Sequence, residues 1–75
     1  MKYKELSKIA EENGYEFENN IDDIILTKYQ GDNIIKISKL KENLIFPNMY
    51  VCFHSDWQML KAAIECAETL DEDRY

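Results

Sequence analysis

The side chains best suited to chemistry are two cysteines and one histidine. Cys52 and His54 stand two positions apart, so a strand would place both on one face, and Cys66 follows in a predicted helix. Zinc requires three or four such ligands that converge on one point. We expect the helix that carries Cys66 to lie on the opposite side of the sheet from the other two. The sequence therefore predicts no metal site and no bound cofactor.

The same residues are poorly arranged for nucleophilic catalysis. Cys52 and His54 form a thiol–imidazole pair, but no third side chain is placed to orient the imidazole. Ser55 stands at a predicted helix start, where its hydroxyl would cap the backbone. The two glycines, Gly14 and Gly31, do not form a phosphate-binding loop. We therefore expect no catalytic residues and interpret the chain as a non-enzymatic protein.

The clearest structural element is a helix predicted over residues 55–70. Ser55 and Gln58 form an S-x-x-Q capping box, which satisfies backbone donors at a helix start. Apolar residues then recur at spacings of three and four, which predicts one buried stripe with a wider margin. The stripe comprises Trp57, Leu60, Ile64, Ala67 and Leu70, and the margin comprises Met59, Ala63 and Cys66.

A first helix and a set of strands precede that helix. Residues 3–13 predict a helix that ends at Gly14, because glycine readily adopts the left-handed conformation that closes helices. Tyr15 would then fold back onto this helix. Alternating or β-rich composition predicts strands over residues 15–19, 24–29, 34–38 and 49–54.

The pairing of the central strands follows from the turn between them. Gly31-Asp32 fits a two-residue hairpin loop with glycine first, which places Leu26 opposite Ile37. Pro47 marks residues 44–48 as an interrupted apolar segment, an edge or a bulge. The predicted fold is α+β, a three- to four-stranded antiparallel meander with the N- and C-terminal helices packed on one face. The predicted core face of the sheet carries Tyr15, Phe17, Ile24, Leu26, Ile35, Ile37, Val51 and Phe53.

Length and composition indicate one small domain. We assign residues 1–70 to a single α+β domain and residues 71–75 to a frayed acidic tail. No hydrophobic leader precedes the first helix, and no apolar run approaches the roughly 20 residues that cross a bilayer. With two cysteines and no leader, the composition predicts a soluble protein of a reducing cytoplasm that does not contact membranes.

Negative charge is the strongest compositional signal. The formal net charge is -6, and acids are concentrated towards both ends of the sequence. Such a surface repels DNA and RNA, so we expect no direct nucleic-acid binding, but it attracts a basic protein surface. The alternative is that the acids only keep the protein soluble. The acidic residues that we assign to partner binding are Glu16, Glu18, Asp22 and Asp23.

The sheet face away from the helices is the second candidate surface. Exposed apolar patches often mark interfaces, and tyrosine is enriched in them. The alternative is that residues 44–48 fold over part of this face. The residues of this face that we assign to partner binding are Ile25, Tyr29, Ile34, Tyr50 and His54, and Cys52 lies beside them.

Three segments, residues 3–16, 25–28 and 62–70, resemble small uncharacterised acidic proteins of phages and prophages in low-GC Gram-positive bacteria. The resemblance implies a non-enzymatic protein of the host cytoplasm. Some small acidic phage proteins, including certain anti-CRISPR proteins, inhibit host defence by covering the basic DNA-binding surface of a nuclease. We therefore expect a binding protein that occupies a partner's surface, with a DNA-mimicking acidic rim. The alternative is a structural or assembly protein that forms a homodimer through the open sheet face.

Overall fold

The computed structural model describes residues 1–28 and 33–75, which form an α+β fold. Helix α1 spans Tyr3–Glu12, helix α2 spans His54–Glu68, and a 3-10 helix spans Asp71–Arg74. The predicted fold class is confirmed. The described strands form one antiparallel sheet in chain order: β1 (Tyr15–Asn19), β2 (Asp23–Lys28), β3 (Ile34–Ser38) and β4 (Ile45–Asn48).

Helix α1 ends where glycine allows the chain to reverse. Gly14 has a φ of 76°, a left-handed conformation that side chains with a Cβ rarely adopt. Its amide donates to the Glu11 carbonyl at 3.3 Å, and the Asn13 amide donates to the Ile9 carbonyl at 3.1 Å. The chain then enters β1 directly, and Tyr15 is buried in the core as predicted.

The core lies between the two helices and one face of the sheet. Helix α1 packs against β1, and α2 packs against β3 and β4, so the helices lie side by side on that face. Full burial of one large apolar side chain stabilises the fold by roughly 1.5–3 kcal/mol. The buried sheet residues are Tyr15, Ile24, Leu26, Ile35 and Ile37, and the fully buried helix residues include Leu6, Ala10, Met59, Ala63 and Cys66.

The register between β2 and β3 differs from the prediction by two residues. Leu26 pairs with Ile35, and Ile24 pairs with Ile37, whereas the predicted partner of Leu26 was Ile37. A shift of two residues leaves every side chain on the same face of the sheet, so the hydrophobic pattern does not detect it. The predicted turn at Gly31-Asp32 lies outside the described residues.

The predicted last strand over residues 49–54 is wrong, because most of this segment is a loop before α2. The buried Asn33 side chain holds this loop through two hydrogen bonds. Its Nδ2 donates to the Val51 carbonyl at 2.7 Å, and the Tyr50 amide donates to its Oδ1 at 2.7 Å. Val51 and Phe53, which we expected in the core, are therefore exposed.

The fourth strand is instead β4, which includes Pro47. The Ser38 amide donates to the Leu44 carbonyl at 3.1 Å. Because backbone groups alternate in direction along an antiparallel pair, Ile45 and Pro47 turn theirs away from β3. Proline has no amide proton, but at this position the proton would point away from β3. Its absence therefore removes no hydrogen bond from the sheet. Residues 44–48 consequently form an edge strand and do not fold over the open face of the sheet.

Helix α2 turns a different face to the core than predicted. Three residues of the predicted buried stripe are exposed: Trp57 by 59%, Ile64 by 42%, and Leu70, which lies beyond the end of α2, by 42%. The residues that we took for the margin make the core contact, because small side chains allow the helix to approach the sheet closely. The buried residues of α2 are Asp56, Met59, Ala62, Ala63, Cys66 and Ala67.

The predicted frayed tail over residues 71–75 is also wrong. Most of this segment forms the 3-10 helix, and Arg74 is 1% exposed. Within the described residues, no helix combines the length and the apolar character that crossing a membrane requires.

Candidate interaction surfaces

A buried carboxylate organises the start of α2. Asp56 is 0% exposed and is contacted from three elements of the fold. Its Oδ1 accepts from the Tyr15 hydroxyl at 2.6 Å and from Lys28 Nζ at 2.9 Å, and its Oδ2 accepts from the Phe53 amide at 2.8 Å. The predicted capping box of Ser55 and Gln58 is therefore wrong. We call Asp56, Tyr15, Lys28 and the Phe53 amide the Asp56 cluster.

The proton affinities in the Asp56 cluster indicate a structural role. Burial would raise the pKa of Asp56, but hydrogen bonds from Tyr15, the Phe53 amide and Lys28 lower it to about 2. Burial and the hydrogen bond to Asp56 raise the pKa of Tyr15. The carboxylate therefore stays ionised and the phenol stays protonated at neutral pH. Neither group is tuned to exchange a proton near pH 7, as general acid–base catalysis requires.

A buried cation occupies the other end of α2. Arg74 donates to the carbonyls of Thr69 at 2.7 Å, Ser38 at 2.9 Å and Ala67 at 3.1 Å. It also donates to the Tyr3 hydroxyl at 2.9 Å, and that hydroxyl donates to Asp71 at 2.7 Å. We call Arg74, Tyr3 and Asp71 the Arg74 cluster. Each of the three side-chain nitrogens of Arg74 donates at least one hydrogen bond, and these bonds join α1, the end of α2 and the sheet.

The cysteines and the histidine do not converge. Cys52 is exposed in the loop before α2, and Cys66 is buried in the core, where burial raises the pKa of its thiol. His54 is the first residue of α2, where its ring lies 3.2 Å from Gln58, so its predicted place on the sheet face is wrong. Residues 1–28 and 33–75 hold no group of three or more side chains that could bind a metal ion.

None of the helices among residues 1–28 and 33–75 covers the opposite face of the sheet, and we call this face the open face. Two rows of paired residues cross it from β1 to β4. Ile34 and Phe46, from β3 and β4, are 38% and 53% exposed. The first row is Glu16, Thr27, Ile34 and Asn48, and the second row is Glu18, Ile25, Lys36 and Phe46.

The structure brings five of the predicted partner-binding residues together on the open face: Glu16, Glu18, Asp23, Ile25 and Ile34.

The other predicted partner-binding residues lie elsewhere. Tyr50 is 67% exposed in the loop after β4, with its hydroxyl 3.5 Å from Asn48 Nδ2. Asp22 is exposed in the turn before β2, and Tyr29 lies outside the described residues. Sequence reasoning missed Phe46, because we interpreted residues 44–48 as an interrupted edge or bulge and assigned the fourth strand to residues 49–54.

Charge is unevenly distributed across the open face. Lys36 lies 3.4 Å from Asp23 and 5.8 Å above the Phe46 ring, so its charge is partly compensated. Neither Glu16 nor Glu18 belongs to an ion pair among the described residues. The β1 side of the open face is therefore negative, and the β4 side is apolar.

The outer edge of β1 offers unpaired backbone groups beside those two glutamates. The Asn20 amide donates to the Asp23 carbonyl at 2.9 Å, which fixes the alternation of hydrogen bonds along β1 and β2. Phe17 and Asn19 therefore turn their N–H and C=O groups away from β2. Among the described residues, no hydrogen bond engages these groups. Unlike β4, the β1 edge contains no proline.

Comparison with protein-family models, with curated proteins and with solved structures finds no match for this chain. The resemblance to phage proteins is therefore still a prediction. The arrangement of the protein's own residues is the basis on which its function can be inferred.

Proposed function

We propose that this protein is a non-catalytic binding protein that occupies the surface of a partner protein, and that the partner surface is basic. The observation that carries the proposal is the open face, where two carboxylates on β1, without an ion pair among the described residues, share one sheet face with exposed apolar side chains on β3 and β4. Glu16 and Glu18 supply the charge, and Ile34 and Phe46 supply area to bury.

The two halves of the open face have different tasks in such a complex. The carboxylates on β1, backed by a net charge of -6, attract a basic partner over distances of about one Debye length. Charge of this kind mainly raises the association rate and selects the partner. The apolar groups on β3 and β4 lose their exposed area in the complex, which slows dissociation.

The β1 edge favours a partner that contributes an extended segment. Such a segment can accept and donate backbone hydrogen bonds at Phe17 and Asn19, as strands do when they join a sheet edge. Its alternate side chains would then stand beside Glu16 and Glu18. Lysine or arginine at those alternate positions would pair with the glutamates.

The buried clusters support a non-catalytic role. The Asp56 and Arg74 clusters contain the most strongly perturbed ionisable groups in the described part of the chain. The hydrogen bonds of both clusters join elements of the fold to one another. The groups that remain accessible are those of an interaction surface.

A more specific form of the proposal follows from the resemblance noted in the sequence. In this form the partner is a host-defence nuclease in the cytoplasm of a bacterial host, and the acidic side of the sheet mimics DNA. Small size and negative charge support it. Competition separates the two forms, because duplex DNA would displace the protein only from a DNA-binding surface.

Affinity capture from a bacterial lysate tests the general proposal. We expect wild-type protein to retain a basic partner at low salt and to lose it at about 0.5 M salt, where screening is strong. Glu16→Gln with Glu18→Gln should abolish retention. The matched control is Glu65→Gln with Glu72→Gln, which removes the same charge from exposed positions elsewhere. If partner retention changed neither with salt nor with Glu16→Gln and Glu18→Gln, the proposal would be contradicted.

A further inference from the structure

The apolar side chains of α2 divide between two faces, and the core uses only one. Met59, Ala63 and Cys66 are fully buried against the sheet. Trp57 and Ile64 belong to the second face, and they are 59% and 42% exposed. A surface helix of a monomer needs a single apolar face, so the second face has no partner within the described chain.

Apolar side chains of β4 lie next to this second face of α2 and enlarge it. Ile45 lies beside Ile64 and Ala67 in a shallow depression of about 150 Å³, and Asn43 and Glu68 form the polar part of its wall. Leu60 is partly buried against the core and continues the apolar surface along α2. We call this surface the α2–β4 stripe; it comprises Phe53, Trp57, Leu60, Ile64, Ile45 and Pro47.

We propose that the α2–β4 stripe is a homodimer interface and that a second copy of this chain covers it. Charge favours this occupant. The six side chains of the stripe are uncharged, and the charged groups beside them have opposite signs: Glu68 lines the depression, and Lys28 lies 5.2 Å from the centre of the Phe53 ring. Glu16 and Glu18 lie on β1, at the opposite edge of the sheet from β4. Two copies that each carry a charge of -6 repel each other less when their β4 sides meet than when their β1 sides meet.

The spacing along α2 is self-complementary. Trp57 and Ile64 stand seven residues apart, which is about 10.5 Å along a helix. A two-fold axis beside Leu60 aligns two antiparallel α2 helices so that Trp57 packs on the partner subunit's Ile64, and the reverse. This is the reciprocal contact that a two-fold interface requires.

Helix packing is favoured over strand pairing at this edge. Pro47 turns its nitrogen towards the outer side of β4, where it has no proton to donate to an added strand. A continuous sheet through two β4 strands would therefore lack a ladder hydrogen bond from each copy. The dimer contact consequently rests on side chains of α2 and β4.

The exposed area is sufficient for a reversible dimer. Phe53 and Trp57 are 63% and 59% exposed, and aromatic residues of this kind each bury up to roughly 150–250 Å². With the aliphatic residues, the stripe offers roughly 500 Å² in each copy, or roughly 1,000 Å² in total, which is the lower limit for specific interfaces. We therefore expect dimerisation that depends on protein concentration.

Sedimentation equilibrium over a series of protein concentrations tests the proposal. Wild-type protein should dimerise, and Ile64→Lys should weaken dimerisation by about 100-fold or more, because the change occurs twice in a two-fold interface. Ile21→Lys is the matched control: it makes the same substitution at a residue that is 92% exposed in the turn between β1 and β2. It should leave dimerisation unchanged. Trp57→Ala gives a second, uncharged disruption of the stripe.

Three results would overturn the dimer. They are a wild-type protein that stays monomeric up to about 1 mM, a dimer that tolerates Ile64→Lys, and a dimer that is lost in Phe46→Lys instead. The last result would move self-association to the open face. Far-UV circular dichroism of each variant confirms that it is folded. Because the stripe and the open face are separate surfaces, salt-dependent partner binding can survive any of these results.

Discussion

The two ends of α2 each hold a buried charge, and the charges have opposite signs. Asp56 lies in the first turn, and Arg74 donates to the last carbonyls of the helix. Both positions match the helix dipole, which favours anions at the start and cations at the end. They differ in their partners: Asp56 has a counter-ion, Lys28, at 2.9 Å, whereas Arg74 has no carboxylate within 4.0 Å among the described residues.

This difference separates two ways of compensating a buried charge. Asp56 is fixed by an ion pair and by hydrogen bonds from two strands and from the Phe53 amide just before α2, so its surroundings cannot rearrange without moving the sheet. Arg74 is compensated by neutral oxygens and belongs to a short 3-10 helix. When Arg74 is replaced, we expect this helix to move aside and let water reach the carbonyls. Loss of the anion should therefore cost more than loss of the cation.

The largest expected effect is that of Asp56→Asn. The substitution leaves the Lys28 ammonium, whose side chain is 23% exposed, without its counter-ion. Removing one member of a buried pair lowers the free energy of unfolding by about 4 kcal/mol. Urea unfolding followed by tryptophan fluorescence measures the change. Asp22→Asn, on an exposed turn, is the control and should change stability by less than about 0.5 kcal/mol.

Arg74→Met should have the second largest effect, roughly 2 to 3 kcal/mol. Arg74→Lys should restore less than half of this loss, because one ammonium cannot reach carbonyls on Thr69, Ser38 and Ala67 together. The same urea titration measures both variants, with Lys41→Met as the exposed control. If Arg74→Met costs as much as Asp56→Asn, the 3-10 helix does not relieve the loss in the way we argue.

Neither buried charge could be predicted from the sequence. Charged residues are seldom buried, and their partners here are remote in the chain: Tyr15 is 41 residues from Asp56, and Tyr3 is 71 residues from Arg74. The local pattern around Asp56 instead favoured Ser55 as the helix cap. Contacts of this range are set by the folded chain and leave no periodic signal.

The strand faces were predictable, and the face of α2 was not. Alternation in β2 and β3 places Ile24, Leu26, Ile35 and Ile37 on one side whatever the register, so burial followed directly. In α2, hydrophobicity favoured Trp57 and Ile64 for the core. The sheet instead accepts the smaller side chains of that helix, because close packing depends on shape as well as on apolar character.

The acid sensitivity of the fold should belong to the Asp56 end alone. The pKa of Asp56 in the folded protein, about 2, lies below its ordinary value near 3.9. The stabilisation is complete above about pH 4 and is lost as the pH falls through about 2, an effect of about 2 kcal/mol. Unfolding measured between pH 2 and 7 should show this loss in wild type and in Arg74→Met. Asp56→Asn should lack it, and an unchanged acid slope in that variant would assign the effect to other carboxylates.

The smallest effects should come from the two tyrosine hydroxyls, and pH should tell them apart. Tyr15→Phe removes one donor to Asp56, and Tyr3→Phe removes the hydroxyl between Arg74 and Asp71; each should lower the free energy of unfolding by about 1.5 kcal/mol, because the partners are charged. Without the Tyr15 hydroxyl, the Asp56 carboxylate is less stabilised, so its pKa rises and acid unfolding begins at a higher pH. In Tyr3→Phe, the loss of unfolding free energy between neutral and acid pH should be the same as in wild type. Carboxyl chemical shifts of Asp56 from NMR measure its pKa directly. If the Asp56 pKa rose as much in Tyr3→Phe as in Tyr15→Phe, the two ends of α2 would be coupled.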